Sequence, residues 1–124
     1  MATAKPITLT TLAKKISKAK TILLATHENP DGDGLGSIIA LAEGLRQKGK
    51  KVHLYCKDPV PLMYQYLKGH KQVKTSLPKS GKWDLTCIVD LGELERVGQD
   101  FINHPGRGET ISIDHHAKGN HNCD

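Results

Sequence analysis

The chain has 124 residues, of which 37% are hydrophobic and 25% are charged, so it is typical of one soluble globular domain and not of a disordered chain. Eighteen Lys and Arg residues against 13 Asp and Glu residues give a net charge of +5, which favours anionic partners. One Trp, three Tyr and one Phe are too few for a base-stacking platform, and three cysteines without a CxxC pair argue against a zinc finger or a disulfide framework.

Targeting signals are absent from the sequence pattern. The first residues contain no apolar signal-peptide core, and no stretch approaches the roughly 18 consecutive apolar residues that a membrane helix needs. The scattered cysteines are typical of free thiols in a reducing compartment. We therefore predict a cytoplasmic protein without a membrane partner.

Apolar strands alternate with amphipathic helices along the chain. A helix is predicted from Leu9 to Ile16 with Thr8 as its cap, and a second helix is predicted from Leu35 to a position near Gly49. A short helix over Leu62–Leu67 and a helical face at Leu94, Val97, Gly98 and Phe101 complete the helices. The predicted strands are Thr21–Thr26, Val52–Cys56, Gln72–Thr75 (minor), Leu85–Asp90 and Thr110–Asp114. This alternation predicts an α/β fold with an open, mostly parallel sheet of about four or five strands flanked by helices, Rossmann-like in type.

The segment between the first strand and the second helix carries the densest set of functional side chains. It reads His-Glu-Asn-Pro-Asp-Gly-Asp-Gly-Leu-Gly-Ser from His27 to Ser37, and its proline and glycines predict a loop. Asp31 and Asp33 would repel each other unless a divalent cation held them together, with His27 as a nitrogen ligand.

The segment has three other interpretations. A phosphate cradle is disfavoured because two aspartates would face the anion. A calcium loop would need a bidentate Glu at its twelfth position, where this chain has Ala42. A tight turn in which Asp31 or Asp33 caps the following helix needs no ligand at all.

Two later strands also end on acidic residues. Asp90 ends one strand, and Asp114 ends the last strand and is followed by His115 and His116. Ligands of open α/β sheets bind beyond the carboxyl ends of the strands, so these groups are predicted to share one edge with the first segment. The two histidines could also be loop residues that bind backbone carbonyls.

These residues resemble the motifs of the DHH phosphoesterase family, whose name matches the triplet at 114–116. The pattern His27-x-x-x-Asp31-x-Asp33-x-x-Gly36-Ser37 is similar to its first motif, and the strand-terminal Asp90 is similar to its second. The resemblance runs from about residue 20 to residue 118. The first motif is most similar to that of the branch that degrades very short RNAs and dephosphorylates 3′-phosphoadenosine 5′-phosphate.

The resemblance implies a two-metal site. His27, Asp31 and Asp90 would hold one ion, and Asp33, Asp90 and His115 would hold the other. His116 would contact the scissile phosphate, Asp114 would orient the histidine pair, and Arg107 is a weaker candidate for a substrate contact. Ligands of this type suit Mn²⁺, with Mg²⁺ or Co²⁺ as substitutes, and such ions can activate water and neutralise phosphoryl oxygens.

The family also has a C-terminal substrate-binding domain and a further metal-ligating Asp downstream of the triplet. This chain stops eight residues after His116, so we expect residues 1–124 to be an N-terminal portion with an incomplete second metal site and impaired turnover. The expected substrate is a short RNA or a phosphonucleotide, and a homodimer is one candidate assembly of the full-length form. The alternatives are a non-catalytic metal- or nucleotide-binding module, a cyclic-dinucleotide phosphodiesterase or another RecJ-like nuclease.

Overall fold

A computed structural model describes residues 8–89 and 97–113 of the chain. The helices are α1 (Leu9–Lys18), α2 (Gly32–Gln47) and α3 (Gln99–Ile102), with 3₁₀ turns at Leu62–Tyr64 and His70–Gln72. The strands are β1 (Thr21–Ala25), β2 (Lys51–Tyr55), β3 (Val73–Lys74), β4 (Leu85–Val89) and β5 (Glu109–Ile113).

All five strands lie in one parallel sheet with the order β3-β2-β1-β4-β5. The predicted α/β fold with an open, mostly parallel sheet is confirmed. The strand order reverses between β1 and β4, because β2 and β3 lie on one side of β1 while β4 and β5 lie on the other. A reversal of this kind opens a crevice at the carboxyl ends of the two strands, which is where open α/β sheets bind ligands.

One face of the sheet is covered by α1 and α2. Alternate residues of each central strand, such as Ile22 and Leu24 of β1, point to this face and are fully buried. They pack against Ile38, Ala42 and Leu45, which are spaced one helical turn apart along α2. Burial of this stripe holds α2, and therefore the residues at its start, against β1.

The opposite face has a smaller core. Leu23 and Ala25 of β1 and Ile88 of β4 pack with Val97 and Phe101. Tyr55 of β2 stacks on Phe101 at 5.9 Å between ring centroids. Because β1 is buried on both faces, its sequence is a continuous apolar run, as expected for a central parallel strand.

The predicted starts of two helices are wrong, and the short helix predicted over Leu62–Leu67 is a 3₁₀ turn at Leu62–Tyr64. α2 begins at Gly32, so residues 32–37 are helical and not part of a loop. The Asp31 cap and the buried apolar stripe outweigh a helix penalty of about 1 kcal/mol for each early glycine. The predicted helical face around Val97 and Gly98 is also shortened: Gly98 has φ 105°, which a helix cannot contain, and α3 starts only at Gln99. Leu94 lies outside the described residues.

Among residues 8–89 and 97–113, no helix is long and apolar enough to cross a membrane.

Candidate functional site

The carboxyl ends of β1, β4 and β5 lie side by side at the reversal of strand order. Ala25 is paired with Ile88, and Val89 is paired with Ile113, in the register of the sheet. The buried hydroxyl of Thr26 donates to the carbonyl oxygen of Val89 at 3.0 Å, across the junction between β1 and β4. This hydrogen bond joins the chain segments from which the first two predicted motifs emerge.

His27 is the first functional side chain beyond β1, and it is 94% buried, with a relative exposure of 6%. Its Nδ1 lies 2.6 Å from the carbonyl oxygen of Glu28. Since a carbonyl oxygen can only accept, Nδ1 carries the hydrogen, and in the neutral ring Nε2 is the nitrogen with the lone pair. Metal-ligating histidines are commonly oriented in this way, with the second ring nitrogen donating to a carbonyl or carboxylate.

The backbone of His27 is held from the neighbouring strand. The Cys56 thiol, just beyond β2, donates to the His27 carbonyl oxygen at 3.2 Å. Burial raises the pKa of the Cys56 thiol to about 11, so the group stays protonated and remains a donor near neutral pH. Cys56 therefore has a positioning contact here and is not a thiolate ligand.

Asp31 is the N-cap of α2. Its Oδ1 accepts from the backbone N–H of Gly34 at 2.8 Å, and the first-turn residue Asp33 adds a second negative charge at the positive end of the helix dipole. The capped turn that the sequence left open is thus present. It does not exclude the metal site, because a carboxylate that caps a helix keeps its negative charge.

The loop between β1 and α2 is held at several points. Asn29 has a positive φ of 49°, and its N–H donates to Asp58 Oδ2 at 2.8 Å, while Glu28 forms an ion pair with Lys57 at 3.7 Å. The ring of Tyr64 lies over the start of α2, where a Cβ on Gly32 would come within 3.0 Å of it. A glycine at this position therefore allows close approach of the ring to the helix N-terminus.

Four of the predicted site residues lie outside the described residues: Asp90, Asp114, His115 and His116. Asp90 directly follows the last residue of β4, and Asp114 directly follows the last residue of β5. Within the described ranges, no group of three or more His, Cys, Asp and Glu side chains is assembled well enough to hold a metal. His27, Asp31 and Asp33 are thus one part of the predicted ligand set, and the two-metal assignment stays a prediction.

Arg107 lies before β5, at the amino edge of the sheet. Its guanidinium donates to Thr110 Oγ1 at 2.9 Å and to the Ile102 carbonyl at 3.1 Å, and it lies 5.1 Å from the centre of the Phe101 ring. These contacts give Arg107 an internal role that joins α3 to β5. A substrate contact by Arg107 stays a prediction.

Three residues of the site were not found by sequence reasoning. Each supports the β1–α2 segment through a contact with a residue far away in sequence. Thr26 contacts Val89, 63 positions away, Cys56 contacts His27, 29 positions away, and Tyr64 lies against Gly32. Their types carry no recognisable motif. Only Thr26, a polar residue at the end of an otherwise apolar strand, gave a sequence signal that could have been followed.

Comparison with known families places this geometry in context. Residues 21–124 match the family model described as the DHH family, N-terminal domain. The chain belongs to the DHH family. The match begins at the first residue of β1 and so includes every strand of the sheet.

Known relatives agree with this assignment. Over 96 residues the chain is 32% identical to the bifunctional oligoribonuclease and PAP phosphatase NrnA of Thermus thermophilus. The matched segment covers 77% of this chain but 28% of that protein. The crystal structure of an exopolyphosphatase-related protein from Bacteroides fragilis superposes with a TM-score of 0.76 at 24% identity, over 92% of this chain and 36% of that one. The chain thus spans about a third of the length of these proteins, and the structural likeness establishes the shared fold.

The described donors are suited to a hard or borderline divalent cation. They comprise carboxylate oxygens from Asp31 and Asp33 and an imidazole whose tautomer leaves Nε2 as its basic nitrogen. Both cysteines within the described ranges, Cys56 and Cys87, are buried, and burial raises the pKa of the Cys87 thiol to about 12. A thiolate zinc site is therefore not built from them.

Proposed function

We propose that this DHH domain belongs to a manganese-dependent phosphoesterase that hydrolyses short oligoribonucleotides, 3′-phosphoadenosine 5′-phosphate or both. The observation that carries the proposal is the position of His27, Asp31 and Asp33. They lie directly after β1, beside the end of β4, in a chain 32% identical to an oligoribonuclease and PAP phosphatase. The ends of the parallel strands supply a crevice at that point for an anionic substrate.

The residues have distinct roles in this proposal. His27 and Asp31, with Asp90, would hold one manganese ion, and Asp33, Asp90 and His115 would hold the other. When bound, the metal ions supply Lewis-acid polarisation of the phosphate and activation of water. His116 would bind the phosphate undergoing hydrolysis, and Asp114 would orient the histidine pair.

Orientation of His27 is the best supported of these roles. The Glu28 carbonyl fixes the ring through Nδ1, and the Cys56 thiol fixes the backbone of His27 through its carbonyl oxygen. Both contacts are made by protein groups and exist before any ligand binds. A preoriented imidazole loses less conformational entropy on binding a cation, because its rotamer is already fixed.

Thermal unfolding with and without manganese tests the metal assignment. Binding to the folded state should raise the melting temperature. The free energy of unfolding should increase by about 2.7 kcal/mol when the free ion is at 100 times its Kd. Asp90→Ala should abolish this shift more completely than Asp33→Ala, because Asp90 would serve both ions. Glu43→Gln, an exposed change later in the same helix as Asp33, should leave the shift intact. An unchanged shift in Asp90→Ala would disprove the bridging assignment.

Hydrolysis then tests the activity itself. A protein in which this domain is joined to a substrate-binding domain of the family should cleave diribonucleotides or 3′-phosphoadenosine 5′-phosphate in the presence of manganese. His116→Ala should lower kcat by about 10²–10³, the usual contribution of a group that stabilises charge in the transition state, with manganese binding retained. Metal binding without hydrolysis of either substrate would instead support a non-catalytic binding module.

A further inference from the structure

A cluster of lysines lies at the amino edge of the sheet, opposite the candidate site. Five-residue strands at about 3.3 Å per residue separate the two edges by roughly 15 Å. At the amino edge, the turn between α1 and β1 meets the turn between α2 and β2. The two turns border a surface cavity of about 570 Å³ that is lined by five lysines: Lys18, Lys20, Lys48, Lys50 and Lys51.

Hydrogen bonds fix the two turns together. Lys50 Nζ donates to the carbonyl oxygens of Ser17 and Ala19 at 3.0 and 2.7 Å, and the Lys51 N–H donates to the Lys20 carbonyl at 3.0 Å. The arrangement of the lysine backbones is therefore set by the fold and does not depend on a ligand.

The charge of this cavity is only partly balanced by its surroundings. The remaining residues that line it are Ser17, Ala19, Thr21 and Gly49, so no carboxylate contributes to its wall. Within the described residues, no ion pair is formed by Lys18, Lys48 or Lys51. Backbone hydrogen bonds from Lys20 and Thr21 lower the pKa of Asp84, and the charge of Lys20 lowers it further, so this carboxylate lies beside the cavity. Asp84 and Glu109 also line a neighbouring cavity together with Lys18, and Glu109 there forms an ion pair with Lys15.

Helix dipoles explain only part of the lysine content. The C-terminal ends of α1 and α2 lie at this edge, and each carries the equivalent of about half a negative charge. Lys50 already binds carbonyl oxygens at the end of α1. Five positive charges face roughly one negative charge from the helix ends and one from the Asp84 carboxylate beside Lys20, which leaves a surplus of about three positive charges that the fold does not require.

We infer that this lysine cavity is a sequence-independent docking site for the phosphate backbone of a nucleic acid. Clustered lysines are the usual footprint of phosphate binding. The cavity wall has no aromatic side chain for stacking on bases, so the contacts are to phosphates alone. It also has no large apolar side chain for insertion into a lipid surface, since Leu62, Met63 and Tyr66 are exposed elsewhere in the chain.

The test is the binding of a fluorescein-labelled 12-nucleotide oligouridylate, which is measured by fluorescence anisotropy in EDTA over a range of salt concentrations. EDTA removes any metal-dependent binding at the carboxyl edge, so the result is independent of the proposed hydrolysis. The variant is Lys18→Gln with Lys48→Gln and Lys51→Gln, which spares Lys50 because that residue bonds to α1. Each phosphate contact contributes about −0.7 to the slope of log K against log salt for single strands. The triple variant should therefore bind at least tenfold more weakly and with a slope shallower by about two.

Matched variants separate the site from net charge. Lys68→Gln with Lys71→Gln and Lys74→Gln removes the same three charges from exposed positions outside the cavity, and it should bind RNA at near wild-type strength. Lys18→Arg with Lys48→Arg and Lys51→Arg keeps the charge and should also bind. Equal losses in the two glutamine variants would overturn the proposal, as would binding to phosphatidylserine vesicles without binding to RNA.

Discussion

Asp31 combines a structural role with a predicted chemical one. Its Oδ1 accepts from Gly34 and starts α2, while the carboxylate charge is what a divalent cation would require. The two roles have different chemical demands. Helix capping needs only a short side chain with an acceptor oxygen, whereas metal binding in a site with few ligands needs the negative charge.

Two substitutions at Asp31 separate these roles. Asp31→Asn should change the stability of the metal-free protein by only a few tenths of a kcal/mol, because asparagine is as good an N-cap as aspartate. Asp31→Ala should cost about 0.5–2 kcal/mol, because the Gly34 N–H loses its partner. Both variants should lose most of the stabilisation by manganese. Urea unfolding in EDTA and in manganese measures both effects, and full manganese stabilisation of Asp31→Asn would remove Asp31 from the ligand set.

At the scale of elements, the junction between β1 and β4 positions the candidate site. Both strands are buried on both faces, and the Thr26 hydroxyl donates to the Val89 carbonyl where the strands end. A shift of either strand end would change the spacing between His27 and the residue after Val89. The junction therefore couples strand packing to metal affinity.

Thr26→Val tests this coupling. Valine preserves the shape of threonine but removes the donor, and we expect a loss of about 1–3 kcal/mol in stability because a buried acceptor loses its partner. Manganese affinity measured by titration calorimetry should fall as well. Thr26→Ser keeps the hydroxyl and should retain manganese affinity, although its lost methyl group costs some stability. Equal affinities of the valine and serine variants would show that the hydrogen bond does not position the site.

The elements also show what the sequence can and cannot predict. Strands such as Leu85–Val89 were predictable because burial on both faces requires a continuous apolar run. The start of α2 was mispredicted because three glycines suggest a loop, and only the Asp31 cap and the packing of the helix on β1 outweigh them. Gly98 was assigned to a helix because its positive φ leaves no signature in the apolar spacing.

The same limit applies to the site. His27, Asp31 and Asp33 could be found because they follow one strand closely in sequence. Their supports could not, because the contacts of Thr26 with Val89 and of Cys56 with His27 exist only once the parallel sheet has formed. The same holds for the lysine cavity, which joins two turns about 30 residues apart.

At the scale of the whole molecule, charge is divided between the two edges of the sheet. The carboxyl edge carries Glu28, Asp31, Asp33 and Asp58, with Lys57 as a balancing cation. The amino edge carries the lysine cavity, with Asp84 and the Lys15–Glu109 ion pair beside it. A divalent cation at the first edge and a phosphate chain at the second would each reduce the repulsion within its own cluster. The two ligands should therefore bind to this domain without direct competition.

The stability of the whole domain should have a plateau with pH, bounded by the titration of the half-buried His53 and the buried Cys87. Burial lowers the pKa of His53 below its ordinary value of 6.5, and Lys74 and Arg46 lower it further, against an opposing backbone hydrogen bond with Ser76. The unfolded chain therefore binds a proton first, and stability is lost as pH falls from 6.5 towards the lower pKa of the folded state. Burial raises the pKa of Cys87 from 9.0 to about 12. The unfolded thiol therefore ionises first, and stability is lost as pH rises from 9 towards 12.

Urea unfolding in EDTA from about pH 5 to pH 10 measures both limbs. We expect a flat maximum between roughly 6.5 and 9, the ordinary pKa values of the two side chains. In the plot of stability against pH, His53→Gln should flatten the decline below pH 6.5 (the acid limb), because it removes the titrating ring next to Trp83. Cys87→Ala should reduce the slope of the decline above pH 9 (the alkaline limb), even if it lowers stability at every pH. Cys56 contributes to the alkaline limb with the same sign, since its pKa is also raised, so the slope in Cys87→Ala should fall without vanishing. An acid limb of unchanged slope in His53→Gln would show that another group controls stability below pH 6.5.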